Sequence, residues 1–144
     1  MSRLMLILAF VLAGVFANAQ SAPIQILDCV YPHQATSFHT IHGNWYGQVA
    51  LKLIRLQVFV PAGASNETVG QIKIYGISTG NNVTNVKTLN RVQVLRSGDY
   101  LSISYAPYSP TTQADAFSML VDPRGRTQVR TQGSNETLLL NCRR

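Results

Sequence analysis

Residues Trp45 to Val60 read Trp-Tyr-Gly-Gln-Val-Ala-Leu-Lys-Leu-Ile-Arg-Leu-Gln-Val-Phe-Val. Up to Leu53 the bulky apolar residues fall on odd numbers (Trp45, Val49, Leu51, Leu53), with Tyr46, Gln48, Ala50 and Lys52 between them. From Ile54 they move to even numbers (Ile54, Leu56, Val58, Val60), opposite Arg55, Gln57 and Phe59. A period of two is that of a strand, whose side chains alternate between two faces. A one-residue slip in phase turns the apolar set to the wrong face unless an extra residue is absorbed. The stretch therefore predicts a β-bulge or sharp bend at Leu53–Ile54. A long bent strand of this kind belongs in a curled sheet or a barrel.

The pattern continues along the chain. Gln71 to Tyr75 alternates and is followed by the turn residues Thr79 to Asn82. Val92–Val94 and Leu101–Tyr105 flank Ser97-Gly98-Asp99, a hairpin signal. Phe117, Met119 and Val121 mark a strand closed by Asp122-Pro123-Arg124-Gly125, with Pro and Gly where a type I turn favours them. Thr127–Arg130 and Thr137–Cys142 supply the last strands, and no segment has helical periodicity. The expectation is an all-β domain, either a single antiparallel β-sandwich (jelly-roll-like) or a small β-barrel of about eight strands. Periodicity does not separate the two, because both alternate in the same way.

A chain of 144 residues fits one domain, and 46% hydrophobic residues suffice for a sizeable core. Only 12% of residues are charged, about half the usual ~25%, which argues against long solvated helices and charged disordered tails. Compartment follows from the N-terminus. Arg3 precedes an apolar run from Leu4 to Phe16 that ends in Ala17-Asn18-Ala19, the layout of a secretory signal. Residues 1–19 are expected to be a signal peptide and residues 20–144 a single secreted β-domain. The run falls short of the roughly 20 residues that span a bilayer. The next most apolar stretch, Val49–Val60, is interrupted by Lys52, Arg55 and Gln57, so no integral membrane segment is expected.

In an oxidising compartment the pair Cys29 and Cys142 reads as a disulfide that brings the two ends of the domain together. Closing so long a loop is worth about 4–5 kcal/mol by chain entropy. Three sequons, at Asn66, Asn82 and Asn135, fall in segments read as loops, and in a eukaryotic host they are expected to carry glycans.

Motifs that resemble chemistry are few. Gly76-Ile77-Ser78-Thr79-Gly80 matches the G-x-S-x-G nucleophile elbow, which needs a helix after the serine and a histidine later in the chain. The residues from Asn81 to Val86 make a poor helix start, and His33, His39 and His42 all precede Ser78. Those three histidines could supply zinc ligands, but no carboxylate lies within about fifteen residues downstream of them and Pro, Thr and Ser deny them a helix. No metal and no cofactor are expected. Of the carboxylates, Glu67 and Glu136 sit inside sequons and Asp99 and Asp122 in turns, leaving Asp28 and Asp115. Paired-carboxylate catalysis is accordingly not expected, and the chain is read as a non-enzyme.

Two features suggest recognition instead. Arg124, Arg126, Arg130, Arg143 and Arg144 crowd the C-terminal part against Glu136, a patch suited to sulfated glycans or anionic lipid heads. Tyr105 to Gln113, with Tyr108, Pro107 and Pro110, is a pre-ordered loop rich in contact area. The compartment and the lack of interleaved aromatics disfavour nucleic acid.

Gly43-Asn44-Trp45-Tyr46 resembles the G-x-W opening of lipocalins, the small-ligand barrels, and Asp99-Tyr100 followed by Arg124 echoes their later motifs. The chain departs from that family at Gly98 and in the short interval between Trp45 and Asp99. The resemblance would imply Trp45 closing the barrel floor against Arg124, and a cavity as the working part. The first expectation is therefore a secreted, N-glycosylated, disulfide-stapled binding protein acting through surface loops and a basic C-terminal patch, on an extracellular protein or anionic glycan. The alternative is a lipocalin-like barrel that carries an apolar small ligand.

Protein secreted from eukaryotic cells is expected to begin at Gln20. Enzymatic deglycosylation should convert Asn to Asp at two or more of positions 66, 82 and 135, as read by peptide mass spectrometry. An intact Met1 would refute the leader.

Overall fold

The computed structural model describes residues 21–32, 51–106, 116–131 and 137–144. Eight strands run through them: β1 (Ile24–Pro32), β2 (Leu51–Val60), β3 (Glu67–Ser78), β4 (Val83–Ser97), β5 (Tyr100–Tyr105), β6 (Phe117–Val121), β7 (Arg126–Thr131) and β8 (Thr137–Arg143). Each pairs antiparallel with the next, and β8 returns to β1, so the sheet closes as an up-and-down barrel and not as two sandwiched sheets.

Alternation puts the apolar set inside. Leu27, Ile54, Leu56, Ile72, Ile74, Leu89, Leu101, Ile103 and Met119 are fully buried in the barrel. Outward positions carry residues such as Arg55, Gln57, Lys73, Ser102 and Arg130. Apolar-in and polar-out is the reverse of a barrel that spans a membrane with its strands. Among the described residues no helix is long and apolar enough to cross one either.

In β2 the even-numbered set Ile54, Leu56, Val58 and Val60 is buried, as the phase of the sequence requires. The shift in register against β3 falls between Leu51 and Leu53, just before the expected Leu53–Ile54, and Trp45 to Ala50 lie outside the described residues. β4 is far longer than its Val92–Val94 signal. Its register shifts opposite Gly70/Gln71, where Arg91 adopts φ 63° and is absorbed as an extra residue. The inward set consequently passes from Leu89 to Val92 and Val94.

Closure rests on a short seam. β1 meets β8 at Asp28↔Arg143 and Cys29↔Cys142, whereas β5 follows β6 from Leu101↔Val121 to Tyr105↔Phe117. The Cys29–Cys142 disulfide crosses this seam, and its presence marks an oxidising setting for folding. Beside it the Asp28 side chain, only 3% exposed, accepts from Arg55 Nε at 2.9 Å, Arg55 Nη2 at 2.7 Å and Arg143 Nη2 at 3.1 Å. One carboxylate thus ties β1, β2 and β8. The hydrogen bonds from Arg55 hold its pKa below the usual carboxyl value, outweighing burial, with Arg143 adding to the effect.

Up-and-down order also sorts the connections. The β2–β3, β4–β5 and β6–β7 turns and both strand termini lie at one end, the turn rim. The β1–β2, β3–β4, β5–β6 and β7–β8 connections leave from the other, the loop rim.

Replacing Cys29 and Cys142 together by serine should remove about 4 kcal/mol of stability in chemical denaturation. Asp28→Asn should cost about 1–2 kcal/mol at neutral pH, since the partner arginines are partly solvated. The folded Asp28 binds its proton less readily than the unfolded one, so its contribution is complete above the ordinary carboxyl value. It is lost as pH falls below that value through the lowered one, and the wild-type and Asp28→Asn stability curves should converge there. Gly125 has φ +82° and an added Cβ would run into the carbonyl oxygen of Cys142, whereas Gly98, at φ +58°, faces open space. Gly98→Ala should therefore cost about 1 kcal/mol and Gly125→Ala distinctly more, about 2–4 kcal/mol, in the same assay.

Candidate functional site

The turn rim gathers most of the C-terminal arginines. In the β6–β7 turn Asp122 Oδ1 accepts the backbone N–H of Arg124 at 2.8 Å and of Arg126 at 2.9 Å, and Oδ2 accepts Arg126 Nε at 2.7 Å. Burial pushes the Asp122 carboxyl up, but the hydrogen bonds from Arg126 and Arg124 prevail and hold it below the usual value. The turn is pinned to β8 by the Cys142 N–H, which donates to the Gly125 carbonyl at 2.9 Å. The Arg144 guanidinium donates to the backbone carbonyls of Asp99 and Asp122, bridging the β4–β5 and β6–β7 turns. Arg124 is exposed and has no acid within ion-pair distance among the described residues. Arg143 is engaged by Asp28.

Arg130 is not part of this group. It points outward from β7, exposed, paired across strands with Ser118 and Thr137 nearer the loop rim. The five arginines therefore divide into Arg124, Arg126 and Arg144 on the rim, Arg143 at the seam and Arg130 on the wall.

Tyr105 is the last residue of β5 and half-buried, its ring centroid 5.8 Å from that of Phe117. It packs against the core at the loop rim and does not stand out from a loop. Tyr108 and the loop to Gln113 lie outside the described residues, as do His33, His39, His42, Asn135 and Asp115. Among the described residues no three His, Cys, Asp or Glu side chains come together as a metal site. Asn66 and Asn82 are both exposed, on the turn rim and the loop rim respectively.

Ser78 ends β3 and serves its turn. Its Oγ accepts the Asn82 N–H at 3.2 Å, and its backbone meets Asn81 and Asn82 at 2.9 and 3.0 Å. A strand, not a helix, follows, so the G-x-S-x-G match is a turn and not an elbow.

Reading the sequence missed a groove of about 540 Å³ on the outer wall of β5 to β8, bordered by Tyr100, Leu120, Asp122, Arg126, Gln128 and Leu139. Tyr100, Leu120 and Leu139 are outward residues left 49%, 47% and 72% exposed. The signal was present as broken alternation, Met119-Leu120-Val121 and Leu138-Leu139-Leu140, in strands otherwise polar on one face. A shallower second groove lies by Phe59, Val69 and Pro61, where Lys73 Nζ sits 5.0 Å over the Phe59 ring.

The lipocalin-like expectation of Trp45 against Arg124 falls partly outside the described residues. Arg124 is on the turn rim, and Trp45 lies outside the described residues. Comparison with protein-family models, with curated protein sequences and with solved structures returned no match.

Proposed function

We propose that this is a secreted, N-glycosylated binding protein that engages an anionic extracellular partner through the arginine-bearing turn rim, without catalysis. The observation that carries it is the Arg144 bridge, which holds the C-terminus against two turns and so places Arg124, Arg126 and Arg144 on one end of a disulfide-closed barrel. Asp122 neutralises one of these cations, and a positive excess remains for a polyanion. The two described carboxylates with most interactions, Asp28 and Asp122, are spent on ion pairs, which supports the non-catalytic reading.

A carrier of apolar small molecules is the second reading, favoured by barrel closure and by the aromatic pair Tyr105–Phe117 at the loop rim. Against it, the inward positions along the barrel are occupied by leucine, isoleucine and methionine side chains.

The glycosylated protein is expected to bind immobilised heparin, used as a generic polyanion, with strongly salt-dependent retention. Changing Arg124 and Arg144 to serine should lower the slope of log affinity against log salt by about two. An unchanged slope would remove the rim from the proposal. A co-purifying mass of a few hundred daltons, released on denaturation in native mass spectrometry, would favour the carrier.

A further inference from the structure

The outer wall carries a second, finer pattern. On β7 the outward residues are Arg126, Gln128 and Arg130, repeating every second residue, about 6.6 Å apart along the strand. Gln128 is flanked across the sheet by Leu120 on β6 and Leu139 on β8. Adjacent strands lie about 4.8 Å apart, so the two leucines stand about 9.6 Å apart, with Gln128 between them in the lining of the groove. Tyr100 stands beside this gap on the turn-rim side, in the same groove of about 540 Å³. The wall therefore presents an apolar notch centred on Gln128, with a guanidinium two residues away on each side.

The geometry points to an extended acidic peptide segment of a partner protein as the occupant of this groove, lying along β7 with an apolar side chain in the Leu120–Leu139 notch and a carboxylate two residues to either side of it. This rests on the reading of the molecule as a binder of anionic partners and names the partner's chemistry. An extended chain repeats at the same spacing as β7, so acid–x–apolar–x–acid meets Arg126, the notch and Arg130 in one register. Arg126 spends Nε on Asp122, and Arg124 and Arg144 beside the same turn keep that end positive. Arg130 has no acid partner among the described residues.

Charge complementarity also selects among occupants. A second copy docked face to face would set Arg126 and Arg130 against the same arginines, cation on cation. A polysaccharide would satisfy the guanidinium groups but leave Leu120, Leu139 and Tyr100 against a polar chain. An aliphatic anchor between leucines, with Arg and Tyr at its margin, is the composition of a protein-binding hot spot.

The test is selection of a random dodecapeptide phage library on the glycosylated, disulfide-intact protein. The expected result is enrichment of acidic–x–apolar–x–acidic peptides whose affinity falls by about tenfold or more in Leu139→Asp, which removes one wall of the notch and repels the carboxylates. Leu139 is largely exposed, so this variant should fold. Arg130→Glu should exchange one acid of the enriched pattern for a lysine or arginine. No such pattern, or peptides indifferent to both Leu139→Asp and Leu120→Asp, overturns the assignment. If heparin retention by the turn rim persists in that case, the groove alone is wrong. If retention is absent too, the anionic-partner reading falls with it.

Discussion

A sheet becomes a barrel only if its first and last strands pair, and here that pairing is confined to the neighbourhood of Asp28 and Cys29 on β1 and Cys142 and Arg143 on β8. A two-residue ladder adds little by itself against the chain entropy of bringing residues so distant in sequence together. The covalent bond between Cys29 and Cys142 lowers that entropy in the unfolded chain. The buried Asp28 carboxylate then works in the folded state, drawing Arg55 of β2 and Arg143 of β8 onto β1. Its pKa is low because the Arg55 guanidinium, helped by Arg143, donates to it strongly enough to overcome the upward push of burial. Everything inside the barrel, from Leu27 to Met119, depends on this seam for its exclusion of solvent.

The same closure distributes function over the surface. Because the strands run up and down in order, the β2–β3, β4–β5 and β6–β7 turns and the end of β8 share one rim, and the other connections leave from the other. Arg144 exploits the first fact, reaching two turns that are remote in sequence from it and from each other. Gly125 is the reason the β6–β7 turn can sit so close, since its carbonyl receives the Cys142 N–H and any side chain would meet the backbone there. The cationic character of the rim is thus built from the turn, the seam and the chain end acting on one another.

The wall of β5 to β8 follows a different logic. A closed barrel has no free edges to protect, so its outer face is under no pressure from edge pairing. Leucines at 120 and 139 nevertheless stand where the alternation calls for polar residues. Their cross-strand position on either side of Gln128 converts two exposed side chains into one notch, and the arginines of β7 give it a sign.

The strand character of the chain, its phase in β2, the hairpin at Gly98 and the disulfide partners were all readable from residue order, because period-two patterning, turn residues and cysteine parity are local or compositional properties. The length of β4 was not: the extra residue Arg91 shifts the apolar phase, so half the strand reads as irregular until its neighbours are seen to absorb it. Tyr105 read both as the end of a strand and as the start of a loop, and its packing against the core beside the ring of Phe117 on the next strand decides for the strand. The choice of barrel over sandwich, the separation of Arg130 from the other arginines, and the meeting of Leu120 with Leu139 are cross-strand relations. They depend on register and closure between residues far apart in the chain, which one-dimensional patterning does not encode.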